Sequence, residues 1–218
     1  MTNKQAGPSR APKSATAPPR VRLTPAAVVD AALELLDEEG LGAVTTRAVA
    51  DRLGVRMNTV LWHVKTKDRL LELLADALAG TIDYEDLPED PEERARELMR
   101  RYRRSLLAHR DGAALVTGTY AAEPHTLRFA DTLLSTLVVG GATDEAAAWT
   151  LYALMYFTLG LTQEEQALAG VDEDRLRAAV TEGPYPALRR ALPVLSPDAF
   201  PGRFEDGIGR ILGGPRAG

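Results

Sequence analysis

Between Thr45 and Leu71 two short runs of helical spacing meet at one glycine, and this pair narrows the folds open to the chain. In the first run Val49 and Leu53 lie four apart with Ala50 beside them, and Thr45 or Thr46 stands where a helix cap belongs. Gly54 tolerates a left-handed backbone and can end that helix within one residue. After a tight turn the pattern predicts a second short helix over 58–63, with Val60 inward and polar side chains outward. Two helices of about two turns joined by a glycine turn form the helix-turn-helix pattern.

The exposed side chains of that pattern say what it could touch. A recognition helix meets the major groove through its first turn, which needs donors, acceptors and methyl-sized apolar groups. Arg56, Met57, Asn58 and Thr59 supply that mixture. His63, Lys65 and Lys67 follow at the far end, where cationic or hydrogen-bonding groups meet phosphates. Arg47 is placed to reach a phosphate or a guanine edge, and Thr46 and Leu61 complete the expected surface. Trp62 is expected in the core, because the small domain otherwise lacks a large apolar residue. From spacing alone two readings stay open: a DNA-reading head, or a helix pair of the kind found in proteins that never touch DNA.

Specific residues favour the first. L-T-P-A-A-V-V-D-A-A-L-E-L-L-D-E-E-G, then T-T-R-A-V-A-D-R-L-G-V, then T-V-L-W-H-V-K-T-K-D-R-L-L resemble the DNA-binding domain of the TetR family. The W-H-V-K-T-K run and the later H-R-D-G-A and F-T-L-G segments are most similar to its tetracycline-repressor branch, and the resemblance covers residues 23 to 165. It implies an all-α chain. A helix-turn-helix domain over 23–66 is joined by a fourth helix to a helical effector-binding and dimerisation domain over 67–218.

Composition agrees with an all-α chain. Apolar residues make up 45%, aromatics are few, and β-branched runs are scarce. Cysteine is absent, which removes disulfides and thiolate metal sites. No apolar run is long enough to span a bilayer, so a cytoplasmic protein without membrane contact is expected. The net charge of −5 argues on its face against nucleic acid. Residues 1–22, however, hold five Lys/Arg, four prolines and no acid, leaving the remainder at −10. Screening limits distant charge to about 10 Å, so an acidic body can be held clear of a duplex. The 1–22 segment reads as disordered, either a solvated tail or a basic arm with Arg20 and Arg22 nearest the fold.

Further along, helices are predicted over 24–39, 67–79, 91–109, 113–117, 125–139 and 143–165, with an acidic, proline-bearing linker over 83–91. The arginines between Arg94 and Arg104 interleave with Glu92, Glu93 and Glu97, which predicts a salt-bridged, solvated face. The 143–165 pattern is apolar on more than one side, as for a helix buried against its own core and a partner. With the amphipathic end at Phe204, Ile208, Ile211 and Leu212, it is the candidate four-helix interface of a homodimer. The stretch 170–218 otherwise shows five prolines before Gly202 and no second helical pattern.

Catalysis finds no support. The three histidines, His63, His109 and His125, are far apart and none has a ligand three or four residues away. G-x-S-x-G, Walker and G-x-G-x-x-G motifs are absent, and no cofactor or metal is expected. A small-molecule chamber between body helices is the better use of residues 83–165. In the branch named above a drug–magnesium complex sits there. The resemblance implies that Thr119 lies near the metal position, Tyr102 packs on the drug, and Glu164 comes from the other subunit.

Departures from the pattern change the expected occupant. Val116 stands where the metal-ligating histidine belongs, Asp83 where a drug-facing histidine belongs, and Tyr120 and Ala121 replace the arginine and proline of a turn. Leu98, Phe129, Thr132 and Met155 complete the expected chamber. The expectation is therefore a metal-free site for a larger or more apolar, polycyclic effector, with simple core packing as the other reading. The functional expectation is a repressor that leaves a palindromic operator when the effector binds. A TetR-like activator, or a helical small-molecule binder with no DNA role, stays open.

Overall fold

The computed structural model describes residues 23–119, 122–168, 173–195 and 197–213. Eleven α-helices and two short 3₁₀ turns, and no strand, occur among them. The reading of residues 1–22 as a basic tail, and of Tyr120 as a chamber residue, lies outside the described residues.

Caps set the helix starts. In α1 (Pro25–Glu39) the Thr24 hydroxyl accepts from the Ala27 amide at 3.2 Å, and proline fills the first position, where no amide is needed. Thr45 does the same for α2 (Thr46–Arg52), accepting from Ala48 at 3.0 Å. Thr66 caps α4 (Lys67–Gly80) and Asp90 caps α5 (Pro91–Leu107). Gly54, at φ +63°, makes the turn from α2 into α3 (Met57–Val64). Val28, Ala32, Leu36, Val44, Val49, Val60, Val64 and Leu70 close the small head with no more than traces of exposure.

Trp62 is not part of that core. It is 70% exposed, a correction to its expected place. Val60 and Val64, four residues apart, already fill the inward stripe of α3, and a residue midway between them points the other way.

Helix α4 belongs to both halves. It packs on α1 and α3, and on its other sides meets α5, α6 (Gly112–Thr117) and α7 (Pro124–Val139). The body is completed by α8 (Asp144–Leu168), which lies against α5, α6 and α7, and by α11 (Phe200–Leu212), which packs on α8 and α5. Two helices that the proline-rich stretch did not reveal, α9 (Glu173–Glu182) and α10 (Pro186–Leu195), pack on one another. Among the described residues no helix is long and apolar enough to cross a membrane.

The arginine-rich face of α5 is paired. Glu97 receives hydrogen bonds from Arg101 at 2.9 Å and Arg104 at 3.0 Å. Burial alone would raise its carboxyl, but these two donors bring it below the usual range. Arg100 grips Glu205 of α11 through two bonds of 2.8 Å, and those bonds hold the Glu205 carboxyl down as well.

Candidate DNA-reading helix and effector cavity

The first turn of α3 presents four consecutive exposed residues, Arg56, Met57, Asn58 and Thr59. A helix start exposes neighbours that a helix middle would divide between faces, so base-reading groups gather there. Arg47 on α2 is exposed and only loosely paired, 4.0 Å from Asp51, while Thr46 beside it is half-buried. Arg52, by contrast, is held by Glu34 and Glu38 and is turned to the head's own surface. At the far end of α3, Leu61 and His63 are half-buried, and the His63 ring lies edge-on to Trp62 at 4.8 Å. Lys65 has φ +66°; its ammonium donates to the Trp62 carbonyl at 2.9 Å and lies 5.7 Å from the indole centre. Lys67 is exposed at the start of α4. The expected DNA contacts therefore cluster on the α2, α3 and early α4 surface, joined by Trp62. The Val60–Val64 spacing was the signal that could have placed the indole outside.

A cavity of about 320 Å³ opens in the body, walled by α4, α5, α7, α8 and the end of α6. Tyr102, Val116, Thr119, Phe129 and Met155 of the expected set are walls. The rings of Tyr102 and Phe129 stack at 4.8 Å, and those of Tyr152 and Tyr156, nearer solvent, at 5.6 Å. Burial pushes the Tyr102 phenol well above its ordinary pKa, and its hydroxyl meets no hydrogen-bond partner among the described residues. Every wall side chain is uncharged at neutral pH.

Four expected residues stand elsewhere. Asp83 lines a separate hollow with Thr81, Arg101 and Ser105. Leu98 is fully buried in the core. Thr132 donates its hydroxyl to the Arg128 carbonyl at 2.7 Å, away from the walls. Glu164 is exposed on α8. Leu127, Ala130, Leu151, Tyr152, Tyr156 and Leu159 are walls that sequence reasoning did not list. Among the described residues no group of three or more His, Cys, Asp or Glu side chains is arranged to hold a metal ion.

Head and body touch directly. The turn 109–112 sits on the end of α1, where Asp111 accepts from the Leu41 amide at 2.9 Å and Arg110 donates to the Glu38 carbonyl at 3.0 Å. Gly40 allows this: a β-carbon there would lie 2.9 Å from the Asp111 carboxylate. Helix α4 also carries three of the cavity walls, Ala75, Leu78 and Ala79.

Comparison with known proteins matches both halves. Residues 28–74 fit the sequence model of the bacterial regulatory proteins of the tetR family, and residues 86–217 that of the tetracyclin repressor-like C-terminal domain. The chain is 36% identical to the tetracycline repressor protein class C of Escherichia coli over 194 residues, 86% of this chain and 88% of that one. A possible TetR family transcriptional regulator of Streptomyces coelicolor A3(2) superposes with a TM-score of 0.78 at 39% identity, covering 87% of this chain and 97% of that one. ActR of Streptomyces coelicolor, solved in complex with actinorhodin, gives 0.77 at 28% identity, covering 88% and 94%. Matched in its reading head and across its helical body, the chain belongs to the TetR family of bacterial regulatory proteins, with a tetracycline repressor-like C-terminal domain.

Proposed function

We propose that this ligand-responsive DNA-binding regulator acts as a cytoplasmic homodimeric repressor whose release signal is an uncharged, flat, polycyclic molecule that needs no metal. The reading divides the chain into a head over 23–66 and an effector-binding and dimerisation domain over 67–218. Two heads would enter successive major grooves of a palindromic operator through Arg47 and the first turn of α3, with Trp62, Lys65 and Lys67 on the flanking backbone. The α8 and α11 surfaces would pair the two copies. No catalytic activity is assigned.

One observation carries the effector class: an aromatic cavity whose walls include α4 and hold no charge. A buried cation or metal chelate there would lack a compensating carboxylate or imidazole, and leaving a charge unpaired is costly. Stacked rings favour a flat aromatic occupant. That a relative of similar fold is known with actinorhodin supports a small-molecule occupant. Release follows from linkage: an effector that fits better when α4 is displaced shifts the dimer toward a head spacing that misses one half-site. Operator must weaken effector binding by the same factor.

The test pairs two measurements. Binding of the full chain to a duplex from its own upstream region is followed by fluorescence anisotropy at low ionic strength. A thermal-shift screen of neutral polycyclic compounds is run with magnesium and with EDTA. A fitting compound at about a hundred times its Kd adds roughly 2.7 kcal/mol, about 5–10 °C for a chain of this size. The shift is expected to be the same in EDTA, and the compound is expected to free the duplex. A monomeric protein, or one that ignores the duplex, overturns the repressor reading; a shift that requires magnesium overturns the effector class.

A further inference from the structure

Helix α7 does not cap itself. The side chain of Glu123, at the cap position, makes no bond to its own helix, and its carboxylate is paired with Arg69 of α4. The cap comes from α4 as well: Asp76 Oδ1 accepts from the Thr126 amide at 2.8 Å and from the Thr126 hydroxyl at 3.0 Å. Asp76 is only 7% exposed, so water is a poor substitute. A carboxylate at the amide end of a helix is the favoured partner for its unsatisfied N–H groups and its dipole. Such a cap usually belongs to the chain just before the helix. Here it reaches across 50 residues.

Its placement ties it to both functional regions. Arg69 and Asp76 are seven residues apart, hence on one face of α4 and about 10 Å apart along it. They hold Glu123 and Thr126, three residues apart at the start of α7. The His125 ring rests on the last turn of α4, where a β-carbon on Gly80 would lie 3.2 Å from it. Thr126 is itself a cavity wall, as are Leu127 and Ala130 on α7 and Ala75 and Ala79 on α4. At its other end α4 follows α3 after only Lys65 and Thr66. The clasp therefore lies between the recognition helix and the cavity.

We propose that Asp76 and Arg69 are positioning residues that make the head and the first turn of α7 one two-state unit. With α4 where it is, Thr126 is capped and the turn is helical. An effector that parts α4 from α7 removes the cap, so the turn loosens and the head loses its fixed position together. This rests on the effector-responsive repressor reading and adds the route of the signal. The route has two discrete states, each with its own contacts, which is the physical requirement for coupling.

The clasp works in both directions, so it is testable without an effector. Full-length protein is followed by amide hydrogen exchange over residues 126–128, with and without the upstream duplex. In the wild type, duplex holds α4 and slows exchange there by about fivefold or more, the lower range of ordinary allosteric coupling. In Asp76→Ala that slowing disappears, although no DNA-facing residue has changed, and operator affinity falls. Thr126→Val, which removes only the hydroxyl bond and keeps the amide, gives an intermediate slowing and serves if Asp76→Ala does not fold. Slowing that is absent in a wild type bound to duplex, or unchanged in both variants, overturns the clasp. A wild type with no anisotropy change on duplex has a different signature: the repressor reading itself fails, and the clasp falls with it.

Discussion

Operator affinity falls by a hundredfold or more when Asn58 and Lys67 are both replaced by alanine. Asn58 is exposed in the first turn of α3, and its amide has the paired donor and acceptor that match an adenine edge, a contact worth about 1–3 kcal/mol. Lys67 is the first residue of α4, where a cation opposes the helix dipole. A phosphate would turn that local disadvantage into a contact. A palindromic operator counts each loss twice, and about 1.4 kcal/mol is a factor of ten, so even modest contacts reach two decades. Both side chains are exposed, and thermal stability is expected to stay within about 0.5 kcal/mol. Anisotropy titrations over a range of salt separate the roles. Loss of Lys67 reduces the salt slope by about one per copy, whereas loss of Asn58 relaxes preference among bases. A double variant that binds operator like the wild type means the reading surface is elsewhere.

The exposed places of those two residues at helix starts were legible because the signals were local. Thr24, Thr45 and Thr66 announce helix starts, Gly54 announces a turn, and each cap bond spans only three residues. The salt-bridged face of α5 was equally readable from its interleaved charges. Other features depended on distance. Trp62 was expected inside on size alone, while the Val60–Val64 stripe had already filled the core. Helix α10 was hidden by prolines, yet Pro186 sits at a helix start, where it is tolerated, and Pro193 falls in its last turn. Helix α9 holds no proline, but among its described side chains only Val180 is buried, so it has no apolar stripe to read. The cavity was half-legible: Tyr102 and Phe129 were expected, but Leu127, Leu151 and Leu159 become walls only once five helices converge. The Asp76 cap, reaching a helix 50 residues away, has no local signature at all.

Gly112→Ala is expected to destabilise the protein by about 3 kcal/mol or more and to weaken operator binding from a site far from the recognition helix. A β-carbon at Gly112 would lie 2.3 Å from the Leu106 carbonyl oxygen and 3.1 Å from its carbon, so backbone must move. That backbone has little freedom. Gln166 of α8 donates to the Leu106 carbonyl at 3.1 Å and to the His109 carbonyl at 2.8 Å, and accepts from the Ala113 amide at 3.1 Å. Moving either side breaks bonds in a half-buried turn, and the same turn carries Arg110 and Asp111 onto the end of α1. Stability and head position should therefore suffer together. Thermal melting reads the first, as a fall of about 6–12 °C for a chain of this size; anisotropy at a temperature where the variant is folded reads the second. Gly202→Ala is the matched control. That glycine is exposed in the first turns of α11, and a β-carbon there meets nothing within 4 Å. Alanine is the better helix former by up to about 1 kcal/mol, so the same chemical change should leave the protein unaltered or raise its stability. If both variants melt alike, the close approach at Gly112 is not what fixes the turn, and the contact between turn and head loses its physical basis.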